Sequence, residues 1–173
     1  MSGRQTIAVL AAVLALAAQA SPVRAQSLAY QIKANYLVRF AAFVDWPPAA
    51  FAAPDAPLTL CVAGQDPFGR SLDQAAASQT AHGRRIVIRR LGRAAVTGCH
   101  IVYLGRDAAS LPDADRPVLT VSDAAVAGRR ATIHFVIVDN RVRFAINRTA
   151  AARAGLGVSS RLLNLAVDVQ ERR

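Results

Sequence analysis

The sequence predicts a single α/β domain, in which a mixed β-sheet is flanked by α-helices and a β-hairpin lies near residues 132–147. Short apolar runs typical of buried strands alternate with amphipathic or capped segments typical of helices. Apolar residues make up 53% of the 173-residue chain, which suffices for a substantial core. We therefore divide the chain into a leader of residues 1–25 and one domain of residues 26–173.

The leader has the features of a secretory signal peptide. Arg4 precedes an apolar run over residues 7–18, and Val23-Arg24-Ala25 offers a cleavage site between small residues. The apolar run is about a dozen residues long, whereas a membrane-spanning helix needs roughly 20. We expect an exported mature chain that begins near Gln26 and does not span the membrane.

The chain is strongly basic, with twenty arginines, one lysine and a formal net charge of +10. Such a surface suits acidic proteins and anionic lipid headgroups as partners. The arginines are spread along the whole chain instead of forming one patch. Because the chain is exported and carries no known nucleic-acid motif, we expect no nucleic-acid partner.

The first predicted element is an amphipathic helix of about 16 residues within SLAYQIKANYLVRFAAFVDWPP, ended by Pro47 and Pro48. Residues at helical spacing form its expected core-facing stripe, for which a partner groove is the alternative interpretation. The members of this stripe are Ile32, Tyr36, Leu37, Phe40, Phe43 and Val44. The polar residues that fall elsewhere are Gln31, Lys33, Asn35 and Arg39.

Four apolar runs predict strands: LTLCVAG, RRIVIRRL, CHIVYLG and RPVLTVSD. Between the first two, QDPFGRSLDQAAA predicts a helix with Asp66 as its N-cap and Pro67 at its first position. SDAAVAG predicts one helical turn capped by Ser122 or Asp123. The strand-to-helix turn at residues 64–69 could present free backbone N–H groups to a ligand, although it matches no nucleotide-binding motif.

The segment ATIHFVIVDNRVRFAIN predicts a β-hairpin with a two-residue turn at Asp139-Asn140. This turn fixes the register, and the apolar residues of one face then all meet apolar partners. The predicted cross-strand pairs are Val138 with Arg141, Ile137 with Val142, Phe135 with Phe144 and Ile133 with Ile146.

The other face of the hairpin is either a solvated sheet face or a small polar cluster that holds a ligand or a partner. We take its polar residues, together with one arginine from the tail, as candidate contact residues. They are His134, Arg141, Arg143, Asn147 and Arg161.

Beyond the hairpin, Asn147 is expected to cap a helix over RTAAARAG, which Gly155 ends in the left-handed conformation. The tail SSRLLNLAVDV fits both a helix and an alternating strand. Ser159 and Ser160 are good helix caps and therefore favour the helix over residues 159–169.

Cys61 and Cys99 allow three interpretations: a disulfide, part of a metal site, or a thiol nucleophile with His100 as its base. Export favours the disulfide, since two cysteines in a small exported domain usually pair. Zinc would lack ligands at suitable spacing, and neighbours on a strand point to opposite faces, which places His100 badly for activating Cys99. We expect no catalysis, no cofactor and no metal.

Six blocks of the sequence, in the same order, resemble the YfiR-like family of periplasmic proteins. They are IKANYLVRFAAFVDWP, LTLCVAGQDPFG, GRRIVIRRL, GCHIVYLG, PVLTVSD and INRTAAARAGLGVSSRLLNLA. The resemblance covers nearly all of the mature chain and implies an α/β fold, a homodimer and a disulfide between Cys61 and Cys99. A second cysteine pair found in the best-known member is absent from this chain.

The resemblance also implies a function. We expect a periplasmic regulator that binds the periplasmic sensor domain of an inner-membrane diguanylate cyclase of the YfiN type and represses it, thereby controlling cyclic diguanylate signalling and biofilm formation. An outer-membrane lipoprotein is a possible second partner. The alternative is an exported small-molecule sensor that acts on another membrane receptor, such as a histidine kinase.

Overall fold

A computed structural model of the chain describes residues 22–109, 112–123 and 131–171, with side chains from residue 27. Residues 1–21 of the predicted signal peptide lie outside the described residues. The same holds for residues 124–128, which belong to the helical turn predicted for SDAAVAG.

The described elements alternate between helices and strands along the chain. The helices are α1 (Pro22–Phe40), α2 (Arg70–Ala77), α3 (Arg148–Arg153) and α4 (Ser160–Leu165), with a short 3₁₀ helix at Pro48–Ala50. The strands are β1 (Val44–Asp45), β2 (Leu58–Ala63), β3 (Thr80–Ala81), β4 (Arg84–Gly92), β5 (Ile101–Leu104), β6 (Leu119–Asp123), β7 (Ile133–Val138), β8 (Arg141–Asn147), β9 (Gly157–Val158) and β10 (Asp168–Gln170).

Eight of these strands form one mixed sheet in the order β10-β8-β7-β6-β5-β2-β4-β3. Its central strands, from β4 across to β7, pair in parallel, and so does β10 with β8. The β7–β8 and β3–β4 pairs are antiparallel. The predicted α/β class and mixed sheet are confirmed, and β1 pairs with β9 in a separate two-stranded ladder.

The two faces of the large sheet are covered differently. All four described α-helices contribute to the main core, which contains an aromatic group built from Phe40, Phe135 and Phe144. We call this side the helix-covered face. The other side, which we call the disulfide face, has a smaller core without aromatic residues. Its buried members are Cys61, Ala63, Cys99, Val102, Leu104, Val118 and Ala131.

The predicted hairpin is confirmed together with its register. All four predicted pairs are present, from Val138 opposite Arg141 to Ile133 opposite Ile146. Asp139 and Asn140 have φ angles of 49° and 57°, the left-handed values that a tight two-residue hairpin turn requires at both positions.

The prediction for the first helix is partly wrong. α1 ends at Phe40, ahead of the two prolines, because the next residues change to an extended ladder in which Val44 pairs with Val158. Ile32, placed in the core stripe, is 40% exposed, whereas Lys33, placed among the outward residues, is 8% exposed. The core-facing side of the helix is therefore rotated from the predicted one.

Two other local predictions need correction. Asp66 does not cap α2, since its Oδ1 accepts the backbone N–H groups of Phe68 and Gly69 in a preceding turn and the helix begins at Arg70. The tail is a helix only at first: Ser159 caps α4 through a hydrogen bond from the Leu162 N–H, as predicted. The chain then adds β10 to the sheet, because the backbone of residues 168–170 finds a parallel partner in β8.

The loops that follow β2 and β5 cross at the carboxyl edge of the sheet. The N–H of Gln65 donates to the carbonyl of Arg106 at 2.8 Å, and the N–H of Gly105 donates to Ala63 at 2.8 Å. A Cβ at Gly64 would lie 2.2 Å from the Arg106 carbonyl oxygen, and one at Gly105 would lie 2.2 Å from the Gln65 carbonyl oxygen. Both glycines are therefore required by the close approach of two backbones.

Candidate functional site

The tip of the hairpin is an exposed surface that combines apolar and cationic groups. Ile137 and Val138 are 57% and 41% exposed; Val138 lies on the disulfide face, whereas Ile137, paired with Val142, projects from the helix-covered face. Arg141 and Arg143, two of the predicted contact residues, are exposed beside them on β8. We call these four residues the hairpin tip. Because Val138 lies opposite Arg141 and Val136 opposite Arg143, the arginines share the disulfide face of the sheet with these valines.

His134 lies on the same face, but it is buried instead of solvated. Only 3% of the residue is exposed, and its Nδ1 lies 3.5 Å from the hydroxyl of Ser122 on the neighbouring strand. β7 is an interior strand, so His134 has a sheet neighbour on each side, Ser122 on β6 and Ala145 on β8. The structure thus places His134 below the surface that carries Arg141 and Arg143.

Asn147 lies at the opposite end of β8 from the hairpin tip. Its Oδ1 accepts the N–H of Ala150 at 2.9 Å, so it caps α3 as predicted. Asn147 also lines a cavity of about 740 Å³ at the amino ends of β6 and β7, between α3, β10 and the segment that leads into β6. We call it the threonine cavity. Its polar lining includes Thr120, Thr132, Thr149 and Arg153.

Arg161, the remaining candidate, is exposed on α4. The neighbouring Leu162 is buried in the main core, so α4 packs on the helix-covered side. The structure therefore separates Arg161 from the four hairpin candidates, which share the disulfide face.

The strand-to-helix turn at residues 64–69 is already occupied by side chains of the chain itself. Arg90 donates to Asp66 and to Asp73 at 2.7 Å each, and it also donates to the carbonyl of Gly69. The hydrogen bonds from Arg90 lower the pKa of Asp73. With Asp66 also accepting two backbone N–H groups, the donors expected to meet a ligand here are already used.

A buried polar cluster that sequence patterning missed lies where α1 crosses the carboxyl end of β6. The Asp123 carboxylate accepts hydrogen bonds from Lys33 at 2.6 Å and from the hydroxyls of Tyr30 and Tyr103 at 3.0 Å each. The Lys33 ammonium also lies 4.4 Å from the centroid of the Tyr30 ring. We call these four residues the Asp123 cluster.

Within the Asp123 cluster both tyrosine hydroxyls donate to the carboxylate. Burial, followed by the charge of Asp123, raises the pKa of Tyr103 well above its usual range, and the same two causes raise the pKa of Tyr30. Three donors therefore converge on one carboxylate and join the middle of α1 to two strands of the sheet. The only sequence signal for the cluster was a lysine one residue away from the predicted core stripe.

The structure joins Cys61 to Cys99, with 5.9 Å between their Cα atoms, and both residues are buried on the disulfide face. His100 is engaged elsewhere, since its Nδ1 accepts the Thr59 N–H at 2.9 Å and its Nε2 lies 3.1 Å from the Ala50 carbonyl oxygen. With both sulfurs in the bridge, the thiol nucleophile proposed as an alternative is not present. Within the described ranges, no group of three or more His, Cys, Asp or Glu residues is placed to hold a metal ion.

Comparison with known proteins assigns the family. The sequence profile of the YfiR/HmsC-like family matches residues 30–167, which span α1 to the loop before β10. The chain belongs to the YfiR/HmsC-like family. No curated protein matched the chain.

Family membership indicates the coarse function. YfiR/HmsC-like proteins are periplasmic and regulatory, and they are partners of periplasmic sensor domains. Among the described residues of this YfiR/HmsC-like chain, no helix combines the length and apolarity needed to cross a membrane.

Proposed function

We propose that this YfiR/HmsC-like chain represses an inner-membrane diguanylate cyclase by binding its periplasmic sensor domain. The observation that carries the proposal is the family match over residues 30–167, which covers most of the domain. Lower cyclic diguanylate levels and less biofilm follow when the inhibitor is bound.

The hairpin tip supports a docking role and indicates the chemistry of the partner surface. Its exposed Ile137 and Val138 offer apolar area, and Arg141 and Arg143 add two positive charges to a chain of formal charge +10. Arginine is enriched in protein interfaces and among the residues that dominate their binding energy. The matching surface on the sensor domain therefore carries acidic side chains opposite Arg141 and Arg143 and apolar ones opposite Val138.

Repression requires that the inhibitor distinguish two states of the receptor. A ligand with equal affinity for both states shifts nothing, so the hairpin tip must contact the inactive arrangement of the sensor domain more favourably. The rigid two-residue turn holds the apolar and cationic groups in a fixed arrangement, which limits the entropy lost on binding.

The test measures binding of the purified chain to the periplasmic domain of each membrane cyclase encoded in the same genome. Arg141→Glu with Arg143→Glu should raise the dissociation constant at least about tenfold, because it places like charges across the interface. The matched control is Arg85→Glu with Arg93→Glu, an equal charge change at exposed positions on and beside β4, far from β8 in the sheet. The control should bind like the native chain.

Deletion of the gene completes the test in cells. Cyclic diguanylate should rise in the deletion strain and return to its starting level with the native chain but not with the Arg141→Glu, Arg143→Glu variant. Unchanged cyclic diguanylate together with no binding to any cyclase domain would reject the proposal. Binding to the sensor domain of a histidine kinase instead would assign a different receptor.

Export, self-association and a second partner belong to the same proposal. Residues 1–25 fused to alkaline phosphatase should give periplasmic activity, and the same fusion without residues 7–18 should not. Light scattering should give the mass of a homodimer. An outer-membrane lipoprotein that competes with the cyclase domain for the chain would release the cyclase from repression.

A further inference from the structure

From the threonine cavity we infer that the chain binds a small organic carboxylate at a site distinct from the hairpin tip. The site is formed by Arg153, Thr120 and Thr132 around an apolar wall that includes Val118 and Val169. Its volume of about 740 Å³ lies within the range of small-molecule sites in proteins, roughly 300–1,000 Å³.

The charges around the cavity favour an anion. Two carboxylates line it, and each already has an arginine partner: Asp113 lies 3.7 Å from Arg116, and Glu171 pairs with Arg148. Arg153 makes no ion pair with any residue in the described parts of the chain. The uncompensated charge that faces the cavity is therefore positive.

The two threonines supply a hydrogen-bond donor at the base of the cavity. Thr120 Oγ1 lies 3.1 Å from Thr132 Oγ1, and it also accepts the backbone N–H of Thr132 at 2.8 Å. Two hydroxyl groups have two hydrogens, and the bond between them uses only one. The second hydrogen has no acceptor among the residues that the structure describes, and Thr132 is only 2% exposed.

An unpaired guanidinium, a spare hydroxyl donor and an apolar wall together define the ligand class. A carboxylate can accept from the guanidinium and from the hydroxyl, while its hydrocarbon part covers Val118 and Val169. Inorganic phosphate could accept hydrogen bonds from the same donors, but it has no hydrocarbon part to cover the apolar wall. A neutral amide of the same shape would lack the charge that Arg153 recognises.

Calorimetric titration of the purified chain with benzoate, and separately with succinate, tests the site. Benzamide and inorganic phosphate serve as comparison ligands for charge and for the apolar part. Benzoate or succinate should bind in the millimolar range or more tightly and should raise the melting temperature, and benzamide and phosphate should bind at least about tenfold more weakly.

Four substitutions locate the binding. Arg153→Gln should weaken carboxylate binding at least about tenfold. Arg85→Gln, an equal loss of charge at an exposed residue that does not line the cavity, should leave it unchanged. Thr132→Val should weaken binding several-fold, whereas Thr132→Ser keeps the hydroxyl and should retain it. These readouts are independent of cyclase binding, so the carboxylate site can be confirmed or rejected independently of the proposed receptor.

Either of two results would overturn the site itself, and a third would overturn the ligand class. One is the absence of any heat or melting-temperature change with both carboxylates at millimolar concentration. The other is equal affinity of the native chain and Arg153→Gln. Binding of phosphate as tight as that of benzoate would also exclude the proposed organic class.

Discussion

The two faces of the sheet are stabilised in different ways. On the helix-covered face, Phe40 stacks on Phe135 at a centroid distance of 5.8 Å and meets Phe144 edge-on at 5.1 Å. On the disulfide face the buried core consists of small and aliphatic residues, and the bridge between Cys61 and Cys99 ties one loop to the sheet. None of the described helices contributes a residue to that second core.

The difference shows how a core that buries little apolar surface area can still be stabilised. Large aromatic side chains each bury enough surface to hold a helix against a sheet, at about 1.5–3 kcal/mol per side chain. Residues such as Ala63 and Ala131 bury much less, so a loop that packs on them gains little from area alone. The disulfide and internal hydrogen bonds stabilise that face. Parts of its surface therefore remain available for binding.

Removal of the disulfide should give the largest effect. In Cys61→Ala with Cys99→Ala, a loop spanning a sequence separation of 38 residues is no longer closed. The chain-entropy relation assigns about 4 kcal/mol to that closure, which corresponds to a fall in melting temperature on the order of 10 °C for a domain of this size. Differential scanning calorimetry of the native and double-variant chains measures the difference.

The control for this prediction is a reductant. It should lower the melting temperature of the native chain by a similar amount and should not affect the double-alanine variant. If the native chain melts at the same temperature with and without reductant while mass spectrometry shows free thiols, the proposed difference between the faces fails.

Loss of the Asp123 carboxylate should have the next largest effect, because it removes the hydrogen-bond acceptor that joins α1 to the sheet on the helix-covered face. In Asp123→Ala the Lys33 ammonium and two tyrosine hydroxyls lose their shared acceptor. The Lys33 and Asp123 side chains are only 10% and 14% exposed, so the free energy of unfolding should fall by about 3 kcal/mol. Urea denaturation followed by circular dichroism measures this change.

A second variant separates the buried charge from simple loss of packing. Lys33→Met combined with Asp123→Ala leaves no unpaired ammonium and should recover part of the lost stability. If the double variant is less stable than Asp123→Ala alone, the lysine contributes by packing and not through its charge.

The dependence of stability on pH tests the contribution of His100, which immediately precedes β5. Burial, followed by the charge of Arg84, lowers the pKa of His100, although its bond to the Ala50 carbonyl opposes the shift. The folded pKa is thus below the unfolded value of 6.5, so the stabilisation is complete above that pH and is lost as the pH falls below it. Protonation of Nδ1 would also replace the bond from the Thr59 N–H with two facing donors.

We expect the melting temperature to fall from about pH 7.5 to about pH 5.5, and to fall less in His100→Asn, which cannot take up the proton. Parallel curves for the native chain and His100→Asn would contradict the prediction.

Substitution of the hairpin arginines should have the smallest effect on stability. Arg141→Ala and Arg143→Ala remove exposed side chains that form no ion pair within the described ranges, so each should change the free energy of unfolding by less than about 0.5 kcal/mol. Thermal denaturation checks this. A loss above about 1 kcal/mol would show that the arginines support the fold rather than serve as a contact surface.

The sequence was most informative where local rules agree with each other. At the hairpin, the Asp139-Asn140 turn and the alternation of apolar residues specify the same register, and every predicted pair is present. Helix caps at Asn147 and Ser159 were also predictable, because the capping residue and the capped N–H are three positions apart in the chain.

The Asp123 cluster was not predictable because its parts are brought together only by tertiary folding. Lys33 and Asp123 are 90 positions apart, and nothing near Lys33 in the sequence indicates that its ammonium faces a buried carboxylate. The burial of His134 escaped prediction for a similar reason, since alternation assigns a residue to a face of the sheet but does not indicate what covers that face. The threonine cavity likewise combines residues from separate elements.

The crossing of the loops after β2 and β5 sets a rule for engineering this scaffold. Because Gly64 and Gly105 each leave room for the other loop's backbone, an insertion or a new side chain in one loop displaces both. Residues 63–69 and 104–108 therefore have to be transplanted, randomised or redesigned as a single cassette. A library that replaces Gly64 or Gly105 while it leaves the other loop unchanged would place a side chain against that loop's backbone.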